Sequence, residues 1–301
     1  MPQARPIARD HRPDQIAPVA VARWAGEQAP CRTPVTHSYA ALAFYTGGGS
    51  RVQLRGAWTL HEGDVLLVPA GEPHRMLEAR YAELWGVSFC MPCFAAGSAA
   101  TLLEPFERVR DGNSAVVQIS ASRQEYLAGL FRELESLGEE SRISSDTLDA
   151  VQRSLLTLIL AEVDRASNAS GVPRAPGGGV VVEALRFIER NCLQRLTLND
   201  IATAVGRTPA YVTTALARAT GRSAVQWIVS GRMAEARRLL LHSDEMVDVV
   251  AERVGYADAT HFIRMFRREH GATPAAWRTA HARTRSGAPG RRASGMPARA
   301  T

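Results

Sequence analysis

The sequence has few cysteines and no long apolar run, and these absences exclude several classes of protein. Four cysteines, Cys31, Cys90, Cys93 and Cys192, are too few and too scattered in 301 residues to form a disulfide scaffold. No apolar stretch is long enough to span a bilayer, and the N-terminus has no apolar signal segment. We therefore expect a cytoplasmic protein with no membrane association.

The positive charge of the chain is carried by arginine alone. Lys and Arg together number 36 against 30 Asp and Glu, for a formal net charge of +6, and no lysine occurs. The arginines concentrate toward the C-terminus, and such an asymmetry fits a partner that carries phosphates. A GC-rich genome also inflates Arg and Ala in any protein, so composition alone leaves both explanations open.

The pattern of apolar residues predicts two folded domains. Short apolar and aromatic runs with Gly and Pro between them, at about ten-residue spacing, predict a small β-barrel or sandwich up to about residue 117. Helical spacing follows over 122–137 and 145–166. We predict a disordered segment at 1–16, a sensing and dimerisation domain at 17–166, a Pro/Gly-rich linker at 167–179, an all-α domain at 180–283 and a disordered tail at 284–301.

Two helix-turn-helix patterns occupy the all-α domain. The more distinct one lies in residues 249–277, VVAERVGYADATHFIRMFRREHGATPAAW, where a short helix stops at Gly255 and a second, basic helix starts at Asp258. The other lies in residues 197–221, where Gly206 ends one helix and Thr208 caps the next. A rigid helix fits a major groove about 12 Å wide, so the tandem predicts two base-reading surfaces in one chain.

The C-terminal third resembles the AraC/XylS family of bacterial transcription regulators. The resemblance rests on ARRLL at 236–240 and VDVVAERVGYADATHFIRMFRREHGATPAAWR at 247–278. The residues that match the family pattern are Gly255, Tyr256, Phe262, Phe266, Arg267, Gly271, Thr273 and Pro274.

The resemblance implies a DNA-contacting role for particular side chains. The residues expected to face bases are Ala210, Thr213, Thr214, Ala259, Thr260, His261 and Arg264. Arg218, Arg267 and Arg268 are expected to hold phosphates. Arg264 is the foremost candidate for base reading, because an Arg–guanine pair is the commonest specific contact in the major groove.

The N-terminal domain carries a pattern that resembles half of a cupin motif. Residues 63–74, GDVLLVPAGEPH, read G-x5-P-x-G-x2-H and would point His74 into a barrel. Metal-binding cupins add two His and a Glu, whereas only His37 lies in the right region here, and a metal needs three or four ligands. We therefore expect no metal, no other cofactor and no enzymatic activity, and the alternative of a cupin enzyme fused to a DNA-binding domain is disfavoured.

A cupin-like barrel without metal would instead hold a small molecule in its mouth. The candidate lining residues of this effector pocket are His37, Tyr39, Phe44, Arg51, Trp58, His74 and Trp85. Each aromatic residue among them could equally belong to the core.

The leading hypothesis is an effector-controlled transcription regulator of α+β class, with a cupin-like barrel, trailing helices and a double helix-turn-helix domain. The resemblance implies an activator that binds promoter or operator DNA. We expect it to form a homodimer and to contact RNA polymerase. The alternative is a redox or stress sensor in which Cys90 and Cys93 form a thiol switch. Two small buried residues at a strand end would account for that pair equally well.

Overall fold

The computed structural model describes residues 7–8, 19–28, 31, 33–95, 100–137, 145–169 and 179–285. Its eight strands are β1 (Ile7–Ala8), β2 (Val19–Gln28), β3 (Val35–Thr36), β4 (Ala40–Leu54), β5 (Gly56–His61), β6 (Asp64–Val68), β7 (His74–Phe89) and β8 (Val116–Gln118). The predicted linker and tail fall largely outside the described residues. In the segment predicted to be disordered, β1 is a short strand.

Eleven α-helices and one 3₁₀ helix (Ala100–Leu103) occur in the described part of the chain. The α-helices are α1 (Met91–Ala95), α2 (Glu104–Arg110), α3 (Ala121–Ser136), α4 (Ser145–Ala169), α5 (Val180–Asn191), α6 (Leu198–Ala204), α7 (Pro209–Thr220), α8 (Ala224–His242), α9 (Val247–Arg253), α10 (Ala259–His270) and α11 (Pro274–Arg285). The mixed helix and sheet composition with a C-terminal helix-turn-helix region is as the sequence predicts.

The sheet is built around the two long strands β4 and β7. The hydrogen-bonded order is β1-β3-β7-β4-β6-β8, with β2 added to β7 and β5 added to β4, and all pairs except β1–β3 are antiparallel. No ladder among the described residues joins β8 back to β1 or β2, so the sheet does not close. The predicted cupin-like barrel is therefore not confirmed.

An aromatic side chain of α3 packs against the sheet. Phe131 of α3 is fully buried and stacks on Phe44 and Trp85 of the sheet, with ring centroids 6.0 and 6.1 Å apart. The period of apolar residues along α3 places Leu127, Phe131 and Leu134 on one buried face. The inner face of the sheet is consequently a packed core.

The N-terminal sheet and the first half of the C-terminal domain share one hydrophobic core. That core continues from the strands through Leu185 of α5 and Leu216 of α7 to Trp227 and Ile228 of α8. A second, separate core holds the rest of α8 with α9, α10 and α11, including Phe262, Phe266 and Trp277. The two helix-turn-helix units therefore depend on different packing.

A buried arginine on α2 joins the two domains. Arg110 is fully buried, and its Nη2 donates to Glu189 Oε1 of α5 at 2.6 Å and to the carbonyl of Ala70 at 3.0 Å. Its Nη1 donates to Glu107 Oε1 at 3.0 Å. Burial by itself would lower the pKa of Arg110, but the Glu189 and Glu107 carboxylates raise it above its ordinary value, so the guanidinium stays charged.

Glycine is required where the 63–74 turn meets the C-terminal domain. Gly71 has a φ of +79°, and a Cβ there would lie 2.9 Å from Cζ2 of Trp227 and 3.1 Å from Cδ1 of Leu185. The glycine of the cupin-like pattern thus permits close contact with α8 and α5. Beside it, Thr36 Oγ1 donates to the carbonyl of Thr220 at 2.8 Å.

Gly71→Ala should destabilise the protein more than Gly112→Ala. Gly112 also has a positive φ, +96°, but a Cβ there would meet nothing within 4 Å. Both substitutions should cost about 1–2 kcal/mol from backbone strain, and Gly71→Ala should cost about 1–3 kcal/mol more from overpacking against Trp227. Urea unfolding of both variants measures the difference, and equal losses would contradict the close contact.

Arg110→Met should lower the free energy of unfolding by about 3–5 kcal/mol, because Glu189 would keep a buried charge without its partner. Adding Glu189→Leu should restore part of that loss, since replacing both members of a buried pair by apolar groups is often neutral. Arg80→Met, which breaks an exposed pair with Glu78, is the control and should change stability little. A double variant less stable than Arg110→Met would show that the pair is not the source of the effect.

Candidate nucleic-acid interface

Helix α10 begins at an aspartate cap and ends at a glycine. Asp258 accepts hydrogen bonds from the backbone N–H of Thr260 at 2.9 Å and of His261 at 3.2 Å. These backbone bonds, led by that from Thr260, lower the pKa of Asp258, so the cap is charged at neutral pH. Gly271 ends the helix with a φ of +73°.

The two faces of α10 differ sharply in exposure. Phe262 and Phe266 are fully buried in the second core, whereas Thr260, His261 and Arg264 are exposed. Ala259 is half-buried at the start of the helix. The side chains predicted to face bases therefore project mostly away from the core, on a helix held from behind by two phenylalanines.

The exposed arginines of α10 differ in their partners. Among the described residues neither Arg264 nor Arg267 forms an ion pair, whereas Arg268 pairs with Glu269 at 3.2 Å. The His261 ring packs edge-on against Tyr256, with centroids 5.3 Å apart. The hydrogen-bond donors of Arg264 and Arg267 are therefore available to a nucleic acid. The His261 ring also packs against the turn that precedes the helix.

Helix α7 has the same construction in the first unit. Thr208 caps it by accepting from the N–H of Tyr211 at 3.3 Å, and Gly221 ends it with a φ of +78°. Val212 and Leu216 are fully buried. On the other side Ala210, Thr214 and Arg218 are exposed and Thr213 is half-buried.

The two units are held together by an arginine of α8. Arg232 of α8 donates to the carbonyls of Cys192 and Gln194, at 2.7 Å each, and its guanidinium lies 5.0 Å from the Tyr256 ring centre. Gly255 approaches the same loop, since a Cβ there would be 2.8 Å from the Gln194 oxygen. These direct contacts between the two units thus set the spacing between α7 and α10.

The neighbouring arginines of α8 also have structural roles. Arg237 is buried, and burial lowers its pKa to about 10. Arg238 pairs with Glu235 at 2.8 Å and with Asp149 of α4 at 2.9 Å. In the sequence these arginines lie among Met233, Ala236, Leu239 and Leu240, all of which are buried. That spacing is the sequence pattern that indicates a structural role for them.

The predicted effector-pocket residues fall into three groups. Phe44 and Trp85 are buried against Phe131. His37 stacks on Tyr39 and lies edge-on to His74, with centroids 4.5 and 4.6 Å apart, and burial lowers the pKa of His74. Arg51 and Trp58 lie on the paired strands β4 and β5. These contacts do not test whether the seven residues line an effector site, so the predicted pocket stays a prediction.

The cysteines are buried or half-buried. Cys90 and Cys93 form a disulfide where β7 meets α1. Cys31 and Cys192 are free, and burial raises the pKa of the Cys192 thiol to about 12. Among the described residues, no three His, Cys, Asp or Glu side chains group closely enough to hold a metal ion. In the same part of the chain no helix is both long and apolar enough to cross a membrane.

Parts of the chain are similar to known regulatory proteins. Residues 201–280 match the family model described as a helix-turn-helix domain. Regulatory protein PocR of Salmonella typhimurium (strain LT2) is 27% identical over 132 residues, which cover 43% of this chain and 44% of PocR. Transcriptional activator NphR of Rhodococcus sp is 35% identical over 130 residues, 43% of this chain and 38% of NphR. The chain thus spans less than half the length of these relatives.

A solved structure resembles about a third of the chain. The DNA-binding domain of AdpA, a global transcriptional factor, was crystallised in complex with a target DNA; it is 29% identical, covers 36% of this chain and 95% of its own, and has a TM-score of 0.32. The matches give no support to the thiol-switch alternative. By the family match, residues 201–280 form a helix-turn-helix domain.

Proposed function

We propose that this protein is a sequence-specific transcription regulator, acting as an activator, that reads promoter DNA with α7 and α10 and responds to a small-molecule effector held by its N-terminal domain. The observation that carries the proposal is the distribution of buried and exposed side chains on α10. Its core face is closed by Phe262 and Phe266, and its outer face offers Thr260 and Arg264 to a groove. That two relatives are named as a regulatory protein and a transcriptional activator supports the proposal.

In this proposal residues 17–166 sense the effector and dimerise, and residues 180–283 bind DNA. Support for dimerisation comes from Tyr126 on α3 and Leu158 on α4, whose side chains are large, apolar and exposed. A dimer would grip two half-sites at once and raise affinity through effective concentration. As an activator it would act on RNA polymerase at the promoter.

The two roles expected of arginines on α10 give distinguishable effects. Arg264→Ala should cost about 1–3 kcal/mol of binding and relax selectivity at one base position, because a base-edge contact carries sequence information. Arg267→Ala should weaken binding to all duplexes alike and reduce the slope of log affinity against log salt by about 1.

The measurement is a selection of duplexes from a random pool by the full-length protein, repeated with each variant at several salt concentrations. Arg80→Ala, an exposed arginine on β7, is the control and should leave the selected motif and the salt slope unchanged. If Arg264→Ala weakens every sequence uniformly, its role is phosphate binding and the assignment of Arg264 to a base is wrong.

A further inference from the structure

Helices α7 and α10 have the same construction, so their exposed side chains can be compared position by position. The cap Thr208 corresponds to the cap Asp258, and the terminal Gly221 corresponds to Gly271, an offset of 50 residues in both cases. Each cap accepts a hydrogen bond from the backbone N–H three residues further on. The fully buried positions correspond by the same offset, Val212 with Phe262 and Leu216 with Phe266.

At corresponding positions in the middle of the two helices the chemistry differs. Thr214 of α7 occupies the position of Arg264 in α10, and both side chains are exposed. Ala217 of α7 occupies the position of Arg267. The outer side of α7 therefore offers a hydroxyl and methyl groups where α10 offers two guanidinium groups.

The arginine that α7 does carry lies in its last turn. Arg218 occupies the position of Arg268 in α10, and both are expected to hold phosphates. Base edges are contacted mainly by the N-terminal residues of a recognition helix. Between Pro209 and Thr220 no other residue is Arg, Lys, Asn or Gln. The first part of α7 thus has no side chain that could hold guanine or adenine with two parallel hydrogen bonds.

An exposed tyrosine adds apolar surface to the first turn of α7. Tyr211 is 51% exposed and occupies the position of His261, which is expected to face a base. The His261 ring packs against Tyr256 of the preceding turn. Among the described residues no ring packs against Tyr211 in the same way. The Tyr211 ring is therefore available to a DNA groove.

Thymine is the base that an apolar reading surface recognises. In the major groove it carries a C5 methyl group, and alanine, the threonine methyl group and aromatic rings make apolar contact with that group. Guanine is recognised by a bidentate arginine. The exposed side of α7, with Ala210, Tyr211 and Thr214, therefore favours thymine, whereas Arg264 of α10 favours guanine.

We propose that the DNA site of this protein has two unlike parts, a thymine-rich part read by α7 through the C5 methyl groups and a guanine-containing part read by α10. The inference rests on the proposed function, because it takes both helices as base-reading. It goes further by giving each part a base composition and by adding Tyr211 to the reading residues. The two parts should lie about one helical turn apart on one face of the duplex.

Selection of duplexes from a random pool by the full-length protein tests the composition of the two parts. Arg264→Ala should relax a guanine position of the selected motif, and Tyr211→Ala should relax a thymine position. Thr214→Arg gives α7 the side chain that α10 has at that position, and it should replace a thymine of the motif by guanine. Tyr81→Ala, which removes an exposed tyrosine of the sheet, is the control and should leave the motif unchanged.

Deoxyuridine isolates the methyl contact, because it pairs as thymidine does but lacks the C5 methyl group. Replacing thymines in the part read by α7 should weaken binding of the wild type about fourfold for each contacted methyl group, the effect of exposing one buried methylene. Thr214→Ser removes the methyl group of Thr214 and keeps its hydroxyl. This variant should no longer respond to deoxyuridine at the thymine that Thr214 contacts. Deoxyuridine in the flanking sequence is the control and should have no effect.

Two results overturn the inference. One is a motif whose positions that respond to Tyr211→Ala or Thr214→Arg are G·C pairs in the wild type, or that responds to neither variant while it responds to Arg264→Ala. The other is wild-type binding that deoxyuridine leaves unchanged, a result that does not depend on how any variant folds. If the wild type selects no motif at all, the proposed function itself fails, and that outcome is distinct from both.

Discussion

The buried guanidinium of Arg110 is the constraint on which the arrangement of the two domains depends. A fully buried arginine is tolerated only when its charge is compensated and its donors are used. Glu189 of α5, Glu107 of α2 and the carbonyl of Ala70 meet that need from three different segments. Because Glu189 belongs to the C-terminal domain, the pair holds α5 against the sheet. The same helix contributes Leu185 to the core that it shares with the sheet.

The helix-turn-helix units illustrate how far local chemistry can be read from sequence. The caps at Thr208 and Asp258 and the stops at Gly221 and Gly271 lie where the pattern predicts them, because a cap or a left-handed glycine acts within one turn of helix. Burial of Phe262 and Phe266 follows from helical periodicity alone. The exposed face of α10 could be predicted for the same reason.

Features that depend on contacts distant in sequence could not be predicted. The pattern at residues 63–74 resembles a cupin turn, yet Gly71 accommodates Trp227, more than 150 residues away. Phe131 packs on Phe44 and Trp85, two of the residues expected to line a pocket, and no local pattern distinguishes a core aromatic from a lining one. Arg232 and Arg238 look like a solvated helix face until the carbonyls and carboxylates that they bind are in place. Helix α2, with Arg110, was not predicted, although Pro105 in its first turn and arginines in its last are typical helix signals.

The two units differ in what supports them, and this difference bears on regulation. The second unit has its own core, whereas the first shares one with the sheet. A ligand that prefers one arrangement of the sheet and α7 would shift the population of DNA-competent molecules. Genome-wide occupancy of the tagged protein tests most directly whether the chain binds DNA at specific sites. Discrete peaks upstream of a small set of genes are the predicted result. Diffuse, salt-sensitive association without peaks would contradict it.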